Sequence, residues 1–155
     1  MIIRKADISD EMSVYDLSND AAVRNASFNN NIILYEEHKE WFRKQLEDDS
    51  VLFLVFYEEN ELAGQVRFRI QKNYAVVSLS LSKQFRGRGF GKIMMKHAIE
   101  ILKMSYPDVE KINAYVKKEN KTSAVFFEKC NYVFTQELSM NGQDSYLFDY
   151  IVQVS

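Results

Sequence analysis

The sequence predicts an α+β fold in which strands outnumber helices, built as a single domain over residues 1–155. Three observations carry this. Hydrophobic residues make up 46% and charged residues 27% of the chain, a packed-domain balance that excludes disorder, collagen-like repeats and coiled coil. The length suits one domain, and no repeat, low-complexity tract or Pro/Gly/Ser-rich linker divides it. Along the chain, extended apolar runs recur more often than segments with helical spacing.

Taken in order, Ile2 to Ala6 forms a short first strand, and Asp10 to Leu17 a helix that ends in the polar stretch Ser18-Asn19-Asp20. Between Tyr35 and Leu46, His38, Trp41, Phe42 and Leu46 share one face while Glu36, Glu37, Lys39, Glu40, Arg43 and Lys44 cover the rest, an amphipathic helix. Val51 to Tyr57 and Leu62 to Ile70 flank the turn residues Glu58-Glu59-Asn60, so they pair as a hairpin. After Gln71-Lys72-Asn73, Ala75 to Leu81 is a strand that runs into a glycine cluster, and Gly91 to Met104 carries Met94, Ala98, Ile101 and Leu102 at helical spacing. Ile112 to Val116 is a further strand. Asn120 caps a short helix ending near Lys129, and Tyr132 to Leu138 with Ser145 to Val152 close the fold as paired strands.

Composition also bounds function. The formal charge of -2, from 20 basic and 22 acidic residues, argues against an electrostatically driven nucleic-acid binder. One cysteine, Cys130, permits no internal disulfide, and two histidines, His38 and His97, cannot build a zinc cluster, so no metal is expected and a reducing compartment is. The N-terminus is charged within four residues and no stretch is apolar enough to span a membrane. The expectation is a cytoplasmic monomer or homodimer without a membrane partner.

Gln84-Phe85-Arg86-Gly87-Arg88-Gly89-Phe90-Gly91-Lys92 is the most informative segment, because three of the five glycines alternate between a strand and a helix. Glycines there let another group approach main-chain N–H donors, and the unpaired amides and macrodipole of a helix N-terminus attract phosphate. From Lys83 to Lys96 there are five cations and no carboxylate, in a chain that is net acidic. The spacing fits neither a dinucleotide fingerprint, which needs glycine where Lys92 stands, nor a Walker A loop, which needs glycine at Arg86 and a hydroxyl at Ile93.

Arg86-Gly87-Arg88-Gly89-Phe90-Gly91 resembles instead the acyl-coenzyme-A signature of the GNAT acetyltransferase superfamily, Gln/Arg-x-x-Gly-x-Gly/Ala, filled here by Arg86, Gly89 and Gly91. Downstream, Val116 to Tyr132 is similar to that family's Asn-x-x-Ala/Ser…Tyr-Glu-Lys-x-Gly-Phe segment, with Phe127 where many members carry a proton-donating Tyr and Asn131 where glycine is usual. The resemblance implies a three-layer α/β fold: a mixed, mostly antiparallel sheet of about six to seven strands, splayed between strands 4 and 5 and flanked by about four helices. It also implies acetyl-CoA as co-substrate. The loop Arg86, Gly87, Arg88, Gly89, Phe90, Gly91 and Lys92 would hold the pyrophosphate, main-chain groups of Leu79 and Leu81 the pantetheine arm, with Asn120, Ser123 and Phe127 beside it. Asn120 serves equally as a plain N-cap. Without a Tyr at 127, the departing thiolate takes its proton from water, from Tyr132 or Ser123, or from no dedicated acid.

A narrower likeness covers the N-terminal half. Asn19-Asp20, Val23 to Phe28, Tyr35 to Phe42 and Gly64 to Phe68 are similar to a GNAT branch that acetylates nucleotide-linked amino sugars of pseudaminic and sialic-acid-like pathways. For such an acceptor Arg24 with Asn25 offers donors for a diphosphate or for sugar carboxyl and hydroxyl groups, and His38 and Arg67 would also bind it. His38 has a second reading as a satisfied core histidine, and Arg67 as a surface cation. The expected chemistry is direct acetyl transfer, with His38 or Glu37 as base and a free amide near Leu79 or Ser80 as oxyanion donor. Two alternatives stay open: acetylation of a peptide or protein amine, suited by nine carboxylates against three cations between Glu36 and Glu61, and a non-catalytic acyl-CoA-binding module.

Overall fold

The computed structural model describes residues 1–152. The chain runs β1 (Ile2–Lys5), α1 (Glu11–Ser18), α2 (Ala21–Ala26), α3 (Tyr35–Glu47), β2 (Val51–Glu58), β3 (Glu61–Gln71), β4 (Tyr74–Leu81), α4 (Phe90–Ser105), β5 (Lys111–Lys117), α5 (Lys121–Lys129), β6 (Val133–Met140) and β7 (Gln143–Ile151). Single 3-10 turns precede α1 and follow β4. All seven strands among the described residues join one sheet in the order β1-β2-β3-β4-β5-β7-β6, and β4–β5 is its parallel pair.

Period-two patterning sorts each strand's side chains to two faces. On one face Leu54, Phe56, Val66, Phe68, Val77, Ile112, Ala114 and Phe148 meet Met94, Met95 and Ala98 of α4 and Phe127 of α5 in the larger core. On the other, Phe53 and Val55 meet Val14 and Leu17 of α1 and Phe42 of α3. The result is the three-layer α/β sandwich that the resemblance implied, with five helices among the described residues where about four were anticipated.

The additional helix is α2. It buries none of its residues, so no apolar periodicity announces it. Asp20 holds its start, accepting from the amides of Ala22 and Val23 at 3.0 and 3.2 Å. The β6–β7 hairpin also extends further than its apolar pattern, because Asn141-Gly142 (φ +51° and +75°) forms a two-residue turn that continues the right-handed strand twist.

One buried ionic group ties the first strand to the first helix. The Asp10 carboxylate, fully buried, takes two bonds of 2.7 Å from Arg4, one of 2.6 Å from the Tyr57 hydroxyl and one of 2.8 Å from the Asp7 amide. Burial alone would raise its pKa, but these donors together hold it below the ordinary 3.8. The stabilisation is therefore full above the ordinary carboxylate range and drains away as pH falls through the lowered folded value. Asp10→Ala is expected to cost about 2–4 kcal/mol in urea melts at neutral pH. Asp10→Asn should flatten the loss of stability as pH falls below the ordinary carboxylate range, relative to wild type.

Candidate active site

β4 and β5 are neighbours over only Tyr74–Lys111, Ala75–Ile112 and Val76–Asn113. Beyond these pairs the strands part, while β4 keeps its ladder with β3 as far as Leu81–Gly64 and β5 keeps its ladder with β7 as far as Lys117–Ser145. Alternation of antiparallel pairing decides which main-chain groups face the gap. The Ser82 amide donates to Ala63 of β3 at 2.7 Å, whereas the Asn73 carbonyl accepts from Glu110 on the β5 side at 2.7 Å. The register between them is unbroken, so even-numbered residues of β4 bond to β3, and the main-chain groups of Leu79 and Leu81 point into the gap. Ser80, the partner of Gln65, directs its amide to β3. Of the two oxyanion donors expected, Leu79 is the one that faces the opening.

The loop leaving β4 places the glycines by backbone need. Gly87 (φ +72°) and Gly89 (φ +81°) lie in the left-handed region, which costs other residues about 1–2 kcal/mol; an added Cβ at either meets nothing within 4 Å. Gly91 is different, since its Cβ would lie 2.9 Å from the Phe126 ring and push α4 away from α5. Through this path no main-chain amide from Gly87 to Lys92 reaches an acceptor among the described residues, and α4 has no side-chain cap. A run of open N–H groups at a helix start, flanked by the exposed cations Arg88 and Lys92, has the chemistry to receive an anion.

Arg86, expected at the same anion, is engaged elsewhere. Its Nε donates to the Leu81 carbonyl at 3.0 Å and a terminal nitrogen to Asp20 at 2.6 Å. That bond is the main reason the Asp20 carboxyl sits below its usual range. Opposite, the buried Lys117 of β5 donates to the Asn25 carbonyl at 2.8 Å. Helix α2 is thus fastened to both lips of the gap.

On the sheet face away from α4, strand alternation lines up Gln65 and Arg67 of β3, Ser78 and Ser80 of β4, Asn113 and Tyr115 of β5 and Asp149 of β7. Three oxygens there, Gln65 Oε1, Asn113 Oδ1 and Asp149 Oδ1, are buried without a donor. Buried acceptors without partners are uncommon and costly; an incoming N–H donor would satisfy them. Sequence analysis picked out Arg67 and Ser80 but missed Gln65, Asn113 and Asp149. Their signal was polar residues at period-two positions of apolar strands.

The other expected residues are engaged within the protein or stand exposed. His38 is 1% exposed, packed among Tyr15, Trp41 and Phe42, with Nε2–H donating to the Glu11 carbonyl at 3.0 Å. Burial lowers its pKa, and the ring is engaged as a core histidine. Glu37 is exposed on α3, which packs on α1 and β2 rather than on the splayed strands. Arg24 donates to the carbonyls of Ser18, Asn29 and Asn31 and to Ser27 Oγ, stapling the α2 turn instead of offering free donors; the Asn25 side chain is exposed. Asn120 caps α5 through the Ser123 amide at 3.1 Å. Phe127 is buried against Tyr132 and Phe148, and the Tyr132 hydroxyl contacts Met95 Sδ at 3.4 Å, its pKa raised by burial. Burial also lifts the Cys130 thiol to about 11. Among the described residues no group of His, Cys, Asp and Glu could hold a metal ion, and no helix is long and apolar enough to cross a membrane.

A model of the acetyltransferase (GNAT) family matches residues 13–132. No curated protein sequence matches significantly. Among solved structures, spermidine N-acetyltransferase from Vibrio cholerae in complex with CoA and spermine superposes with a TM-score of 0.85 at 20% identity, over 97% of this chain and 95% of that one. Ribosomal-protein-alanine N-acetyltransferase from Brucella melitensis gives 0.82 at 21% identity, over 97% and 99%. YncA from Salmonella typhimurium, with its cofactor acetyl-CoA, gives 0.81 at 16% identity, over 100% and 95%.

Two outcomes follow from this geometry. Gly89→Val is expected to weaken coenzyme A binding by about tenfold or more in calorimetry, because a strained left-handed residue redirects the cradle amides, with thermal stability changed by no more than about 1–2 kcal/mol. His38→Leu should destabilise the domain by about 1–3 kcal/mol through loss of the ring's hydrogen bond to the Glu11 carbonyl while leaving its coenzyme affinity unchanged.

Proposed function

The chain belongs to the acetyltransferase (GNAT) family, and on that premise we propose that it moves the acetyl group of acetyl-CoA directly to the primary amine of a small molecule. The observation that carries the reading is the run of unpaired amides from Gly87 to Lys92 at the open end of the β4–β5 gap. Those residues suit a pyrophosphate. From there the pantetheine arm fits along β4, where the Leu79 main chain offers the hydrogen bonds that β5 would otherwise have made. The thioester then lies in the gap, and the Leu79 amide is the donor for the oxygen that becomes negative in the tetrahedral intermediate.

The amine approaches from the face that carries Gln65, Ser80, Asn113 and Asp149. Their oxygens orient its N–H bonds and hold the water that takes the displaced proton. The nitrogen–carbon bond forms, the carbon–sulfur bond breaks, and the thiolate leaves with the coenzyme. Phe127 has no proton to give it, and the Tyr132 hydroxyl is buried beside Met95, so solvent at the gap protonates it. The narrower candidate for the acceptor, the amino group of a nucleotide-linked amino sugar, is supported by the likeness of the N-terminal half.

Thiol release from acetyl-CoA, measured across amino-sugar nucleotides, polyamines, amino acids and short peptides, tests the reading. Release with a small amine is the expected result; tight coenzyme binding with no release for any class would leave a binding module instead. Cys130→Ala should retain kcat within about twofold, since a buried thiol with a raised pKa is no nucleophile; a larger loss would point to an acyl-enzyme. His38→Leu should keep both kcat and the rise in rate as the acceptor amine deprotonates with pH.

A further inference from the structure

Arg67 is a cation without a partner among the described residues. Its guanidinium stacks on Trp41 at 4.9 Å and Phe53 at 5.8 Å, and it makes no hydrogen bond or ion pair among the described residues. Burial, followed by the charge of Arg69, pulls its pKa down to about 10, so it is still charged at neutral pH. Neither its strand partners Phe53 and Ser78 nor Gln65 and Arg69, two residues away on the same face, carries a carboxylate. A half-buried charge left in that state is costly unless something supplies the missing anion. Aromatic stacking fixes the plane of the group and leaves its N–H edges for a planar or tetrahedral oxyanion.

The position says what that anion belongs to. Arg67 lies one face step, about 7 Å along β3, from the Gln65–Ser80 pair level with the gap. The same face holds the donorless oxygens of Gln65, Asn113 and Asp149. Oxygen acceptors for an amine and a lone guanidinium for an anion therefore stand side by side on the acceptor face. We propose that Arg67 is the receptor for a carboxylate or phosphate carried by the acceptor itself, so that the substrate is a small amine bearing an anionic group a few bonds from its nitrogen. This rests on the transfer reading above. It sets the acceptor apart from a polyamine, whose second cation Arg67 would repel.

Trp41 is the chain's single tryptophan, so its fluorescence reports this site. The full chain saturated with coenzyme A, which fills the glycine loop, is titrated with inorganic phosphate and separately with acetate, ionic strength held constant with KCl. A saturable change with either anion is expected, lost in Arg67→Met and weakened in Arg67→Lys; which anion acts distinguishes phosphate from carboxylate. No saturable change, or one that persists in Arg67→Met, overturns the proposal. In kinetics, the best amine of the thiol-release panel should carry an anionic group, and Arg67→Met should raise its KM about thirtyfold. The KM of the neutral counterpart, the amide or dephosphorylated amine, should be unchanged. Preference for a neutral amine or spermidine, or equal losses for the charged and neutral pair, overturns it as well. If no amine releases thiol while phosphate still perturbs Trp41 through Arg67, the transfer reading falls and the acceptor role with it, and an anion site alone remains.

Discussion

The parting of β4 from β5 after three paired residues is the constraint on which the site depends. A strand within a sheet ordinarily satisfies its main-chain groups on both sides, and groups left open in the interior are costly. Here each lip of the gap is anchored by its own long antiparallel ladder, β4 to β3 and β5 to β7. The opening can persist without unzipping the sheet. What remains is a slot lined by the main-chain groups of β4 that β5 does not pair.

The slot is fixed at its mouth by charged side chains rather than by apolar packing. Arg86 joins the last carbonyl of β4 to Asp20 at the start of α2, and Lys117 joins β5 to the Asn25 carbonyl at its end. Because Arg86 also begins the glycine loop, that loop and α2 share a bond. Arginine suits this junction, since its fork can serve a carbonyl and a carboxylate together. The same interactions explain why Arg86 and Arg24, which look like ligand-binding arginines in the sequence, work as internal fasteners.

The fold was legible in the sequence wherever burial imposes a period. β2, β3, β4, β5 and β7 bury apolar side chains, and α3, α4 and α5 each turn an apolar stripe inward, so their existence and order could be read directly. α2 escaped because it has no buried face and is held by capping and arginine bonds. The glycine loop was legible because left-handed backbone admits few residues besides glycine. His38 misled for a related reason: an apolar helical face with one imidazole looks the same whether the ring faces a substrate or a carbonyl of the neighbouring helix.

The sequence by itself determined the order of strands and helices and the glycine loop between a strand and a helix, since each is written in local periodicity or in backbone conformations confined to glycine; the layered architecture and the family came from the resemblance of its motifs. Only the tertiary structure decided which polar groups remain open. Whether Leu79 points to a neighbour or to a gap, whether Arg24 and Arg86 are engaged, and whether Gln65, Arg67, Asn113 and Asp149 share one face all depend on pairing between residues far apart in the chain. Hydrogen bonding saturates, so a donor's availability to a ligand is set by what the fold has already placed against it, and that is a property of the assembled sheet.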